Sequence, residues 1–124
     1  MTQEEKQLLL VDICARLPYG IKGIHRGKVH ELFTIDGREV NSACIQVDGY
    51  DAWFSVDTFK PYLRPLSSMT KEEREYLEEL SNFKATPSVV RDKVDFYLER
   101  HLDYRGLIPM GLALEAPEGM YKTE

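Results

Sequence analysis

Long apolar runs are absent from this chain. The longest, Leu8-Leu9-Leu10-Val11, falls far short of the roughly 20 residues a helix needs to cross a bilayer, so no membrane partner is expected. Cysteine is scarce as well: Cys14 and Cys44 stand alone among apolar neighbours with no CxxC spacing. That pattern predicts two buried, reduced thiols rather than a disulfide or a metal site. An excess of positive charge is missing, since 16 Lys and Arg face 21 Asp and Glu for a net charge of −5. An acidic total disfavours a dedicated nucleic-acid binder, because phosphate attraction is the main sequence-independent term in such binding. GxSxG, a Walker-type loop, GxGxxG and HExxH are all absent. The first residues, Met1-Thr2-Gln3-Glu4-Glu5, are acidic and polar, unlike a signal peptide, and a cytoplasmic location is expected.

What is present is ordinary globular material. With 124 residues, 43% apolar and 30% charged, the chain has room for one domain and one core. Folding at this size buries roughly two-thirds of the unfolded surface, enough to dispense with staples. The expected order is a helix over 1–18, a β-meander over 19–66, two helices over 67–103 and an apolar tail over 104–124. The fold class is α+β.

Local signals support that order. Thr2 with Glu5 forms a capping box, in which each side chain satisfies an otherwise unpaired backbone donor. Leu10, Ile13, Cys14 and Leu17 then follow at helical spacing and predict the buried face, and Pro18 ends the helix. Glycine turns at Arg26-Gly27, Asp36-Gly37 and Asp48-Gly49 punctuate the next stretch, and Asp-Gly is a strong hairpin signal. Between them lie Val29, Glu31, Phe33 and Ile35, then Ala43, Ile45 and Val47, then Trp53 to Val56. These predict a bent antiparallel meander of about four strands, an SH3-like small barrel first and an open sheet second. Lys60 to Pro65 reads as a proline-stiffened exit from the sheet. Thr70 with Glu73 caps a charged helix whose thin apolar side is Leu77 and Leu80. Thr86 and Pro87 open a third helix, with Val90, Val94, Tyr97, Leu98 and His101 as its apolar face.

Candidate chemistry is sparse. His25 and His30 flank the Arg26-Gly27 turn, yet no Cys or carboxylate follows at ligand spacing, so exposed histidines on a polar hairpin are expected and no metal. His101, near a helix end, suits the dipole as a cation or a carbonyl as a buried donor. Neither cysteine sits in a protease signature, and Glu72, Glu73, Glu75, Glu78 and Glu79 read as a solvated helix face. No cofactor is expected. The positive signal is aromatic: Tyr50, Trp53, Phe54, Phe59 and Tyr62 crowd the last strand and its exit. Phe54 and Phe59 are expected in the core, while Tyr50, Trp53 and Tyr62 are candidate binding residues. Lys22, His25, Arg26 and Lys28 add an acid-free basic hairpin.

Four segments carry a resemblance: Cys14 to Gly20, Lys60 to Thr70, Asp103 to Ile108, and Gly111 to Tyr121. In these the chain resembles a family of uncharacterised small proteins of Bacteroides-type gut bacteria and their prophages. The resemblance implies a bacterial or phage cytoplasmic setting, plausibly a mobile element, and transfers no site residues. The functional expectation is a non-enzymatic binding or adaptor module whose partner is another protein. The alternatives are a nucleic-acid accessory protein and, last, a small metal or cysteine enzyme.

Leu107, Ile108, Met110, Leu112 and Leu114 are too apolar to float free, so the tail should dock, with the first and third helices as expected partners. Burying such side chains contributes on the order of several kcal/mol. Deleting residues from Gly106 onward is therefore expected to lower the melting temperature substantially, and an unchanged value would mark the tail as a loose appendage.

Overall fold

The structure is a computed structural model that describes residues 1–37 and 43–121. Helix α1 spans Gln3–Arg16, strands β1 to β5 span Lys22–His25, Lys28–Asp36, Cys44–Val47, Phe54–Ser55 and Phe59–Leu63, helices α2 and α3 span Lys71–Ser81 and Pro87–Glu99, and β6 spans Leu114–Glu115. The sheet order is β4-β3-β2-β1-β5-β6. All pairings are antiparallel except β5 with β6. A 3-10 turn, Val56–Thr58, links β4 to β5. The fold is α+β, with α1 and the tail packed on one face of a mixed six-stranded sheet. No helix among the described residues is long and apolar enough to cross a membrane.

The caps form as the sequence dictates. Both capping boxes, Thr2 with Glu5 and Thr70 with Glu73, are complete, and Thr86 caps α3 ahead of Pro87. The α1 face differs from its expected composition. Leu9, Leu10, Asp12, Ile13 and Arg16 are buried, whereas Cys14 is exposed and Cys44 half-buried, and the two do not form a disulfide. The helix is rotated because its buried side carries an ion pair. Arg16 Nε and Nη2 donate to the Asp12 carboxylate at 2.8 and 3.2 Å, and Nη2 also reaches Leu102 O at 2.7 Å.

The meander needs two corrections. Phe33 and Ile35, read as one alternating set, part company: Leu32 is buried, so Phe33 beside it is 70% exposed, and a register shift between Leu32 and Thr34 brings Ile35 back toward the core. Lys60 to Leu63 is a strand within the sheet, not an exit from it. Leu63 O accepts from Ala116 N, so the odd-numbered residues of β5 turn their backbone groups toward β6. Pro61, which lacks an N–H, therefore removes nothing from the ladder with β1. The Asp36-Gly37 turn leads into residues 38–42, which lie outside the described residues.

Gly23 is where β1 and β5 come closest. A Cβ there would lie 2.4 Å from Lys60 O and from Phe59 Cζ. Only glycine allows the fully buried Phe59 ring to lie across β1.

The tail docks, with Leu107, Leu112 and Ala113 buried in the cluster that also contains Leu9, Leu10 and Ile13. Its partners are α1 and the sheet. The buried α3 residues, Phe96 and Leu98, lie outside that cluster, Val90 is exposed, and Met110 is 45% exposed. Asp103 caps the start of the tail by accepting from Leu107 N and Ile108 N at 2.8 and 2.9 Å. Tyr121 closes its end. The hydroxyl accepts from Lys22 N at 3.0 Å and donates to Tyr62 O at 2.9 Å, standing between β1 and β5 just past the Gly23–Pro61 pair.

Two buried groups fix the helices. Arg64 binds Glu73 through both guanidinium arms at 2.9 and 2.7 Å, so Glu73 is not part of a solvated face. That contact holds its carboxyl down to about 2. His101, at φ +57 just past α3, stacks on Tyr121 and donates from Nε2 to Tyr19 O at 3.2 Å. Burial, with Arg16 nearby, holds its pKa at about 4, so it serves as a neutral donor and not as a helix-end cation.

Two expectations follow from this packing. Gly23→Ala should cost about 2 kcal/mol or more and lower the melting temperature by several degrees relative to the unmodified chain, read by calorimetry. The second concerns acid. His101 has a folded pKa below its unfolded value, so its contribution is complete above about pH 6.5 and is lost as pH falls toward about 4. The loss amounts to about 3 kcal/mol. Glu73 then loses its contribution as pH falls from about 4.5 to about 2. Urea denaturation at stepped pH should show both declines, and His101→Asn, which tolerates the left-handed backbone, should flatten the first.

Candidate functional site at the hairpin end

The β1–β2 hairpin turns on Arg26 and Gly27, both with positive φ (+51 and +78). Two consecutive left-handed residues suit the right-handed twist of the strands, and Asn, Asp or Gly usually fills the first position. Arginine there is a strained choice. Its guanidinium lies 4.7 Å above the Phe54 ring, a contact that returns about 0.5–1 kcal/mol at an exposed site. It makes no ion pair among the described residues.

Beneath the turn four rings gather. Phe54 packs on His25 with centroids 4.3 Å apart, and Tyr50 meets Phe54 edge-on at 5.7 Å. Tyr50 also lies 5.3 Å from His30 and 6.3 Å from His25, and the two imidazoles are 6.1 Å apart. His25 and His30 share a face because Gly23 pairs with His30 while His25 pairs with Lys28. His25 is fully buried and His30 half-buried, which corrects the expectation of exposed histidines on a polar hairpin. The reason is tertiary: Tyr50 and Phe54, which follow the Asp48-Gly49 turn, cover them. Burial, opposed by a hydrogen bond involving Thr58 and helped by Arg26 and His30, lowers the pKa of His25.

Of the candidate binding residues, His25, Arg26 and Tyr50 join this cluster. Lys28 pairs with His25 across the turn and is exposed. Trp53, half exposed, precedes Phe54. Lys22 and Tyr62 lie elsewhere, at the opposite end of β1 and β5 beside the Tyr121 hydroxyl. Phe59 is core and Phe54 half-buried, close to expectation. The part sequence reasoning missed is the junction of Phe54 with the two imidazoles, and the hairpin spacing of residues 25 and 30 was its only signal.

A groove of about 750 Å³ lies at the Tyr121 end, away from the hairpin, and is lined by Arg64, Ser68, Thr70, Glu115, Glu118 and Tyr121. Its one buried cation, Arg64, is already held by Glu73. Desolvation pushes the Cys14 thiol pKa up, the opposite of an activated nucleophile. Among the described residues, no group of three or more His, Cys, Asp or Glu side chains is arranged to hold a metal ion. In comparisons with known proteins, no family model, no curated protein and no solved structure matches this chain.

Proposed function

We propose that this chain is a non-enzymatic binding module, an adaptor that engages another protein through the hairpin end. The observation that carries the reading is Arg26: a guanidinium with no ion-pair partner among the described residues, held in a strained turn over Phe54, near the half-exposed Tyr50 and Trp53. A backbone conformation unfavourable for arginine is worth keeping where the side chain is needed in that place. Exposed aromatics beside a cation suit an extended partner segment, whose apolar groups lie on the rings and whose carboxylates meet Arg26 and Lys28.

The strand order supports an SH3-like reading of the sheet, since the fifth strand returns to pair with the first and a 3-10 turn separates the fourth and fifth. The resemblance in sequence suggests a setting, the cytoplasm of a bacterium or phage-infected cell, within a mobile element. A second reading, a nucleic-acid accessory role, is favoured by one observation, the placing of Arg26 over Phe54, whose ring meets Tyr50, with Lys28 across the same turn. The net charge of −5 weighs against it.

Trp53 is the sole tryptophan, so its fluorescence reports on this surface directly. Adding the partner captured from native lysate should shift its emission to the blue. Tyr50→Ala, Trp53→Ala and Arg26→Asn should each weaken capture. Arg26→Asn should change stability by less than about 1 kcal/mol, because relief of the turn offsets the lost ring contact. Capture undiminished in all three folded variants would remove the hairpin end from the reading. Binding to DNA or RNA that falls steeply with salt would favour the second reading instead.

A further inference from the structure

His25 and His30 are set up alike, and their hydrogen bonds fix which nitrogen of each ring carries the proton. Thr58 Oγ1 gives its single hydrogen to Ser55 O at 2.7 Å. Toward His25 Nδ1, 3.2 Å away, it therefore accepts, and the proton of the neutral ring sits on Nδ1. Asp48 Oδ1 lies 3.2 Å from His30 Nδ1 and, as a carboxylate oxygen, also accepts, here and from Glu31 N at 2.9 Å. Both neutral rings thus present a lone pair at Nε2. Both Nε2 atoms are buried, and neither has a hydrogen-bond partner among the described residues.

Two buried acceptors on rings 6.1 Å apart are costly to leave unmatched. An imidazole whose far nitrogen donates to a carboxylate or hydroxyl is also the usual preparation of a histidine that binds metal. We propose that His25 and His30 bind one late transition-metal ion of the zinc class through their Nε2 atoms. Tyr50 lies over the pair, 5.3 Å from His30 and 6.3 Å from His25. Imidazole selects zinc, nickel or copper over magnesium or calcium. Two protein ligands, with Arg26 close by, make this a weak, exchangeable site. The inference is independent of the adaptor reading, since a metal here neither requires nor excludes a protein partner.

The test is calorimetric titration of zinc chloride into the full chain at pH 7.5, with two-bond proton–nitrogen NMR of the imidazoles. The expected result is one site per chain of micromolar affinity, with zinc shifting Nε2 of both rings while Nδ1 keeps its proton. His25→Gln and His30→Gln should each weaken binding by roughly tenfold or more, and Asp48→Asn, a positioning change, by roughly tenfold. His101→Gln should bind as the wild type does, although His101 Nδ1 also lacks a partner among the described residues. If His25→Gln fails to fold, the half-buried His30 carries the comparison. Absence of heat at millimolar zinc, undiminished binding by His30→Gln, or protons found on Nε2 in the metal-free chain would each overturn the proposal.

Discussion

Asp12 and Arg16 sit one helical turn apart on α1 with no solvent exposure. Two charges taken out of water are tolerable only if their hydrogen bonds are met by other parts of the fold. Those parts come from far along the chain. Leu102 O accepts from Arg16, and Arg105 donates to Asp12 at 3.1 Å. The pair therefore ties the first helix to the segment that follows α3.

That segment, residues 100–105, is where the elements are joined. Arg64 donates through its backbone N to His101 O, and Asp103 N returns a hydrogen bond to Arg64 O. The Arg64 side chain binds Glu73 of α2, whose other oxygen lies 3.7 Å from Arg100. His101 reaches back to Tyr19, and Asp103 begins the tail. Each contact satisfies a group that would otherwise be buried alone, so the strength of the hub comes from mutual completion more than from any one ion pair. The hairpin end lies apart from this hub.

Much of the local architecture was legible in the sequence. Thr2, Thr70 and Thr86 opened three helices because a cap needs only residues three apart. Arg26-Gly27 marked a two-residue turn. The candidate site was half legible: Tyr50, His25 and Arg26 were named as candidates, and the turn explains why they converge. Lys22 and Tyr62 were drawn in by proximity along the chain, although a strand carries its two ends well apart. The burial of His25 depends on Phe54, and no spacing within residues 25–30 announces a ring supplied by a strand three places away in the sheet.

The sequence by itself determined the α+β class, the helix starts, the hairpin at residues 26–27 and the apolar character of the tail. Each rests on interactions within a few residues, where the chain has little choice. Tertiary structure alone decided that Lys60-Pro61-Tyr62 lies inside the sheet, that Phe33 turns outward, and that Cys14 faces solvent while Asp12, Arg16 and Glu73 do not. These outcomes depend on partners tens of residues away. A charged side chain is buried only where a distant group meets it, and a strand keeps its proline only where the neighbouring ladder leaves that donor unused.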